Sequence, residues 1–278
     1  MTNSLFFVLI FFVCLAAGLV GALTGLGGGV VLVPVLVLAF GCDIHYAAGA
    51  SLISVIATSS GAAAAYLRDG YSNLRIAMFL ELATTCGAIG GAFLAGKISS
   101  KFISIVFGLA LIFSAFSALA KKDEHPGTVP RDKLSRLLKL DGVYPVDGRP
   151  VSYFATRVVP GFCLMFVAGG LSGFLGIGSG ALKVLAMDQI MTLPLKVSTT
   201  TSNLMIGVTA AASSGVYFKR GYVDPVLAAP VVLGVVAGSL MGARLLPLIK
   251  SATLRKIFAG ILIVAALEMI FKGLGGSL

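Results

Sequence analysis

Thr24-Gly-Leu-Gly-Gly-Gly29 and, 151 residues later, Leu175-Gly-Ile-Gly-Ser-Gly180 are the two stretches whose reading decides the fold of this chain. Each follows a long apolar run, at about 5–24 and 156–175, and precedes a short one, at about 29–41 and 180–193. Glycine permits positive φ and close backbone approach, so each cluster reads as a break between two helices. A helix that restarts beyond such a break presents free N–H groups at its first turn, and these attract anions without a formal charge. Tight helix packing is the other reading of the same glycines.

Working outward, further apolar runs lie at about 46–67, 74–96, 102–120, 197–218, 226–248 and 254–271. Most reach the ~20 residues that span a bilayer. The two short runs fall below that length and are expected to be tilted, broken or re-entrant. Composition agrees. Of 278 residues, 58% are hydrophobic and only 12% charged, and mean hydropathy is +1.02. A soluble domain carries about 25% charged residues, so an ordinary soluble enzyme is excluded and a polytopic membrane protein remains. No Lys or Arg precedes Arg68. Residues 5–24 therefore lack the basic n-region of a signal peptide and are expected to stay as a membrane helix.

The halves repeat. At an offset of 151, Gly25, Gly27 and Gly29 fall on Gly176, Gly178 and Gly180, and Ser51 and Thr58 fall on Ser202 and Thr209. Tyr66, Gly70 and Tyr71 fall on Tyr217, Gly221 and Tyr222, and Gly87 and Gly91 on Gly238 and Gly242. Internal duplication is a habit of transporter folds. If five segments cross in each half, the second half is inverted; if four cross, the halves are parallel. Charge arbitrates. Five crossings place Arg68, Arg75, the central stretch, Lys196 and the Arg244–Lys256 group on one face. By the positive-inside rule that face is cytoplasmic and the N-terminus lies outside. The expected architecture is an all-α membrane protein of two inverted repeats, at 1–120 and 156–278. A polar cytoplasmic linker at 121–155 joins them, with a short helix at about 131–139. Prolines 126, 130, 145 and 150 rule out one continuous helix there.

The formal charge of +10 does not indicate nucleic acid, because the basic residues sit between apolar runs and form no stripe with aromatics. Cys14, Cys42, Cys86 and Cys163 form no CxxC pair. Gly25 and Gly27 begin a GxGxxG that Val30 ends wrongly, and no P-loop ending exists. Ser179 lacks the GxSxG elbow, and the only histidines, His45 and His125, are expected in loops. No cofactor and no metal centre are expected.

Polar runs at matching places carry the remaining signal: Ser51, Ser54, Thr58, Ser59 and Ser60 in the first half, and Ser198-Thr-Thr-Thr-Ser-Asn203 then Thr209 in the second. Near helix starts, such side chains cap backbone N–H groups or donate to an oxyanion. Glu81 lies deep in the run 74–96, where a lipid-facing carboxylate is costly. It is a candidate for carrying a coupling proton. Lys183 interrupts the second short run and either draws an anion inward or sits at the interface. The GxxxG pairs Gly87/Gly91 and Gly238/Gly242 suit close packing within the chain or between two copies.

These features resemble the TauE/SafE family of sulfite and organosulfur-anion exporters. The likeness rests on Gly21-Ala-Leu-Thr-Gly-Leu-Gly-Gly-Gly29 with Pro34, on Ala48-Gly-Ala-Ser-Leu52, on Gly173-Phe-Leu-Gly-Ile-Gly-Ser-Gly180 and on Ser198–Asn203. The halves differ in that Leu185 stands opposite Pro34 and Ser179 opposite Gly28. The resemblance implies export of small sulfur-containing anions such as sulfite, sulfoacetate or other sulfonates across a bacterial or archaeal cell membrane. In this reading Gly27, Gly28, Gly29, Gly178 and Gly180 supply backbone N–H groups. Ser51, Ser179, Thr200, Thr201, Ser202 and Asn203 supply further donors. The expected partners are a small anion and the lipid bilayer, with a homodimer open and nucleic acid excluded. A cation transporter would want clustered carboxylates, His or Met, and only Glu81 and Asp188 are at hand. An intramembrane enzyme would want a nucleophile–base pair, which the sequence lacks.

Overall fold

The computed structural model describes residues 3–38, 40–95, 99–119, 132–146, 149–175 and 180–275. The first half holds α1 (Asn3–Thr24), α2 (Gly29–Leu38), α3 (Ile44–Arg68), α4 (Leu74–Ala95) and α5 (Ser100–Leu119). The second holds α7 (Val158–Leu175), α8 (Gly180–Leu185), α9 (Leu195–Lys219), α10 (Pro225–Leu245) and α11 (Ser251–Gly273). A π-helical turn, Ala186–Ile190, prolongs α8, and a 3-10 turn, Leu246–Leu248, ends α10.

Among the described residues, windows in α1, α3, α4 and α10 are long and apolar enough to cross a membrane. Helix α9 is equally long at 25 residues, about 37 Å at 1.5 Å per residue, but its polar run lowers its hydropathy. Helix α2 has 10 residues, about 15 Å, or half a ~30 Å hydrocarbon core. Large apolar side chains point outward along the helices: Phe12, Met78, Leu82, Phe93, Phe113, Leu233 and Leu267 are all exposed. Hydroxyls and the amide of Asn203 are buried instead. A bundle that is apolar outside and polar inside suits lipid, because only the interior then offers hydrogen-bond partners.

Helix pairing follows the glycines. Helix α1 packs along α10, α4 along α7, α5 along α11, and α3 across α9. A Cβ on Gly234, Gly238 or Gly242 would strike the carbonyl oxygens of Phe11, Leu15 and Leu19 in turn, so α1 and α10 run parallel. A Cβ on Gly169 or Gly173 would strike those of Thr84 and Ala88, so α4 and α7 also run parallel. Both GxxxG motifs therefore pack inside the chain. Replacing each helix by its counterpart 151 residues away converts the pair α1–α10 into α7–α4.

Hydrogen bonds repeat with the same offset. The Tyr66 hydroxyl donates to the Ala22 carbonyl at 3.0 Å, and the Tyr217 hydroxyl to the Gly173 carbonyl at 3.4 Å. Thr58 donates to the Ser54 carbonyl and Thr209 to the Met205 carbonyl. Helices α3 and α9 run antiparallel, as do α5 and α11. Gly49, early in α3, lies against Tyr222 beyond the end of α9, while Tyr71, beyond the end of α3, accepts from Thr200 early in α9. In the α5–α11 pair, Gly108 meets Ala266 and Ile270, and Gly273 meets Lys101 and Ile105.

The polar stretch between the halves is more than a linker with one turn of helix. Helix α6 (Lys133–Leu137) lies within the expected 131–139, capped by Asp132, whose carboxylate accepts from Leu134 N–H. Beyond it, β1 (Asp141–Val146) and β2 (Arg149–Phe154) form an antiparallel hairpin, from Asp141 opposite Phe154 to Val146 opposite Arg149. The hairpin's Tyr144 and Tyr153 pack in one cluster with Ile76 and Leu80 of α4, Met165 of α7 and Met191. His45, expected in a loop, stands in the first turn of α3, its ring nitrogen 3.0 Å from the carboxylate of the N-cap residue Asp43.

Candidate functional site

The first glycine stretch is a break. Helix α1 ends at Thr24, α2 restarts at Gly29, and between them Gly25, Gly27 and Gly28 have φ of 75°, 74° and 74°. Side chains rarely tolerate that left-handed conformation. Gly25, Leu26 and Gly27 direct their N–H groups to the Gly21 carbonyl. At the start of α2, Val31 and Leu32 bond back to the Gly28 carbonyl. The first N–H groups of the helix are left without an intrahelical acceptor, as at every helix start.

Of the second stretch, Gly176, Ile177, Gly178 and Ser179 lie outside the described residues; Gly180 opens α8. A Cβ on Gly180 would stand 2.3 Å from the Gly25 carbonyl oxygen and 2.7 Å from the Leu26 Cα. The start of α8 therefore touches the first break. Nothing larger than glycine fits that contact.

Helix α9 supplies the polar wall. Ser198, Thr199, Thr200, Thr201, Ser202 and Asn203 are all fully buried, and Ser51 of α3 is too. Of the two roles open to this run, capping is not what they do: Pro194 occupies the N-cap position, with no side-chain cap. One turn into the helix, the hydroxyls reach other segments. Ser202 donates to the Gly25 carbonyl at 2.8 Å and approaches the Gly180 carbonyl at 3.5 Å, so one hydroxyl bridges the first break and the start of α8. The Asn203 amide donates to the Ala22 carbonyl at 2.7 Å. Thr200 donates to the Tyr71 carbonyl at 2.9 Å, and Thr201 accepts from the Asn73 N–H at 3.1 Å. Two donors of the run, Ser202 and Asn203, thus hold backbone carbonyls at the first glycine break. Among the described residues, the hydroxyls of Ser51, Ser72, Ser172 and Ser198, Glu81 Oε2 and the Asn203 side-chain carbonyl oxygen are buried without a hydrogen-bond partner. An unpaired buried polar group costs about 1–3 kcal/mol, so a polar solute or water that reaches any of these atoms gains by pairing it.

Asn73 ties this wall to the hairpin. Its amide donates to the Tyr153 hydroxyl at 3.0 Å and to the Asp141 carbonyl at 3.4 Å, and its side-chain oxygen accepts from Ile76 N–H at the start of α4. Burial pushes the Tyr153 phenol above its ordinary value, opposed by the Asn73 hydrogen bond. Beside this contact a cavity of about 350 Å³ is lined by Arg75, Arg136, Lys139 and Asp141. Sequence reasoning missed Asn73, which is one polar residue in a short loop.

Sequence reasoning also treated Glu81 and Lys183 separately, and the fold brings them together. Lys183 Nζ lies 3.6 Å from Glu81 Oε2, with the lysine side chain fully buried and the glutamate 12% exposed. The interfacial position open to Lys183 is therefore not the one it takes. Thr209 of α9 links the pair: its hydroxyl accepts from the Lys183 ammonium and donates to Glu81 Oε1 at 2.5 Å. Thr85 donates to the same oxygen at 2.9 Å. No group of three metal-binding side chains occurs among the described residues.

An apolar-surfaced helical bundle with half-length helices meeting inside it, a hydroxyl-lined interior and a buried charge pair defines a multi-pass membrane transporter. Comparison gives the family. The chain belongs to the sulfite exporter TauE/SafE family, whose model matches residues 10–269. It is 29% identical over 275 residues to the probable membrane transporter protein YunE of Bacillus subtilis (strain 168), covering 96% of this chain and 98% of the relative. It is 26% identical to the probable membrane transporter protein YdhB of the same strain, covering 95% and 100%. A probable membrane transporter protein of Xylella fastidiosa (strain 9a5c) is 24% identical, covering 92% and 93%. No solved structure matches the chain.

Proposed function

We propose that this transporter exports small sulfur-containing anions, such as sulfite, sulfoacetate or other sulfonates, by alternating access. The single observation that carries the reading is the contact of Gly180 with the Gly25–Leu26 break, bridged by Ser202. Two helix starts near one point each bring roughly half a positive charge. A monoanion is thereby partly offset without an arginine, and it is held weakly enough to leave. Ser202 and Asn203 reach the first break, and we assign as further donors to the anion the Ser51 hydroxyl, the Gly27–Gly29 backbone (Gly27 once released from the Gly21 carbonyl) and the Gly178–Gly180 backbone. In the arrangement described here, Ser202 and Asn203 hold backbone carbonyls instead, so the site is shut. Opening one half against the other frees these donors for the anion. Glu81 carries a coupling proton and Lys183 draws the anion inward.

The two halves are inverted repeats across the membrane. The antiparallel course of α3 against α9 and of α5 against α11 supports this. With the N-terminus outside, Arg75, Arg136 and Lys139 line a cleft on the cytoplasmic side, as the positive-inside rule requires. Residues 121–155 are then a cytoplasmic segment between the repeats.

Radiolabelled sulfite or sulfoacetate flux in proteoliposomes tests the function. Saturable flux that is lost in Ser202→Ala and Asn203→Ala supports it. Flux unchanged in both variants removes those residues from the site.

A further inference from the structure

Glu81, Lys183 and Thr209 come from three helices, α4, α8 and α9, and meet one turn beyond Gly180. Among the described residues, no other ion pair involves Glu81 or Lys183. Helix α7, packed on α4, carries no Asp, Glu, Lys or Arg, only the exposed thiol of Cys163. On α9, Lys196 and Lys219 sit at the ends, and the Tyr217 hydroxyl is bonded to Gly173. Arg220 donates to the Ala92 carbonyl at the far end of α4. Asp188, five residues past Lys183, accepts from Gln189, and on α5, which packs on α8, Lys101 lies at the helix start. Within the pair, Glu81 Oε2 accepts no hydrogen bond. The ammonium's one hydrogen-bond acceptor among the described residues is the Thr209 hydroxyl.

We infer that Glu81 is a tethered stand-in for the transported anion: the anion binds Lys183 only as Glu81 takes up a proton, so proton and anion travel together. This rests on the anion-transport reading above. The physical reason is charge balance in a dry interior. One ammonium beside one carboxylate is neutral; a second anion at the same ammonium leaves an uncompensated negative charge, which a low-dielectric site strongly resists. Protonating Glu81 removes that charge. Thr209 then turns its hydroxyl from the carboxylate to the incoming anion, and Lys183 exchanges one counter-ion for another. When the anion leaves, the proton leaves, and the carboxylate again satisfies Lys183, which is never buried alone. No covalent bond changes, and the proton comes from and returns to solvent.

The device exists once per chain. The repeat counterparts of Lys183 and Glu81 are Leu32 and Val232, while Thr209 is matched by Thr58. The stoichiometry is one proton per anion, which makes the cycle electroneutral for a monoanion. Acid outside then opposes efflux by about tenfold per pH unit. The protein acts as an overflow valve, opening outward flow when the internal anion exceeds that ratio.

The test uses the full chain, purified, with sulfite, sulfoacetate and methanesulfonate as probes; methanesulfonate keeps a fixed single charge at neutral pH. Binding is followed together with proton uptake from weakly buffered solution by a pH indicator. The expected result is about one proton taken up per methanesulfonate bound, with binding that weakens as pH rises. E81Q is expected to bind with no proton uptake and no pH dependence, and its flux in proteoliposomes ignores an imposed pH gradient. Wild-type binding without proton uptake, or uptake that persists in E81Q, overturns the inference and leaves the transport reading standing. Absence of binding and flux for all three probes overturns the transport reading, and the inference with it. Should E81Q not fold, the doubly apolar E81L/K183M variant decides: loss of binding in the folded protein is expected, and wild-type affinity overturns the assignment.

Discussion

Gly90 and Gly91 are adjacent on α4, and the structure gives them opposite fates. A Cβ on Gly91 would stand 1.9 Å from the Gly170 carbonyl oxygen and 2.8 Å from its carbon, whereas a Cβ on Gly90 meets nothing within 4 Å. A carbon tolerates a carbonyl oxygen at about 3.3 Å, so Gly91→Ala forces α4 and α7 apart by about 1.4 Å at that point. The same seam holds Gly169 against Thr84 and Gly173 against Ala88, and a gap of 0.5–1 Å already forfeits about a quarter to a half of each dispersion contact. Lipid offers no hydrophobic drive to close the seam again. Overpacking of this kind costs about 1–3 kcal/mol, and the rigid backbone partner puts Gly91→Ala near the top, at about 2–3 kcal/mol. Gly90→Ala gains up to about 1 kcal/mol of helix propensity. Reversible unfolding of the purified protein in mixed detergent micelles measures both. Equal midpoints for the two variants, or a Gly91→Ala protein as stable as wild type, would refute the reasoning that backbone contact at glycine holds these helices together.

Other outcomes follow from the same geometry. K183M leaves the Glu81 carboxylate buried and unpaired and is expected to cost about 3–5 kcal/mol in that unfolding assay, with E81L/K183M recovering most of it; a double variant worse than the single one counts against the pair. Asn73→Ala loses the helix-start bond to Ile76 and the tie to Tyr153, worth about 1–2 kcal/mol together. Hydrogen exchange should accelerate in residues 141–154, and unchanged protection there would show that the tyrosine cluster alone holds the hairpin. Burial pushes the Cys42 thiol above its usual 9.0. Less thiolate is present at any given pH, so its alkylation in a background lacking Cys86 and Cys163 should keep rising beyond pH 9. A rate that levels off below pH 9 contradicts that burial. With the N-terminus outside, a membrane-impermeant maleimide should reach Cys42 from the outer face of whole cells.

What the sequence determined by itself is whatever local chemistry and periodicity carry. The glycines after Thr24 read as a break or as tight packing, and α1 does stop at Thr24. Low charge with long apolar runs means lipid, and a register of Tyr-x-x-x-Gly-Tyr means duplication. The hairpin was also within reach, because Asp147-Gly148 between Val-Tyr-Pro-Val and Arg-Pro-Val-Ser-Tyr-Phe is a two-residue turn signal between β-prone runs. Only the tertiary structure decided what these pieces do to one another. The Ser198–Asn203 side chains read as caps or as anion ligands, and only the packing of α9 shows that Ser202 and Asn203 hold carbonyls of the first break, 177 and 181 residues away. Glu81 and Lys183 each looked like a lone charge in an apolar run. A desolvated charge must find its opposite, but the partner is named by helix packing, at a separation no local pattern spans.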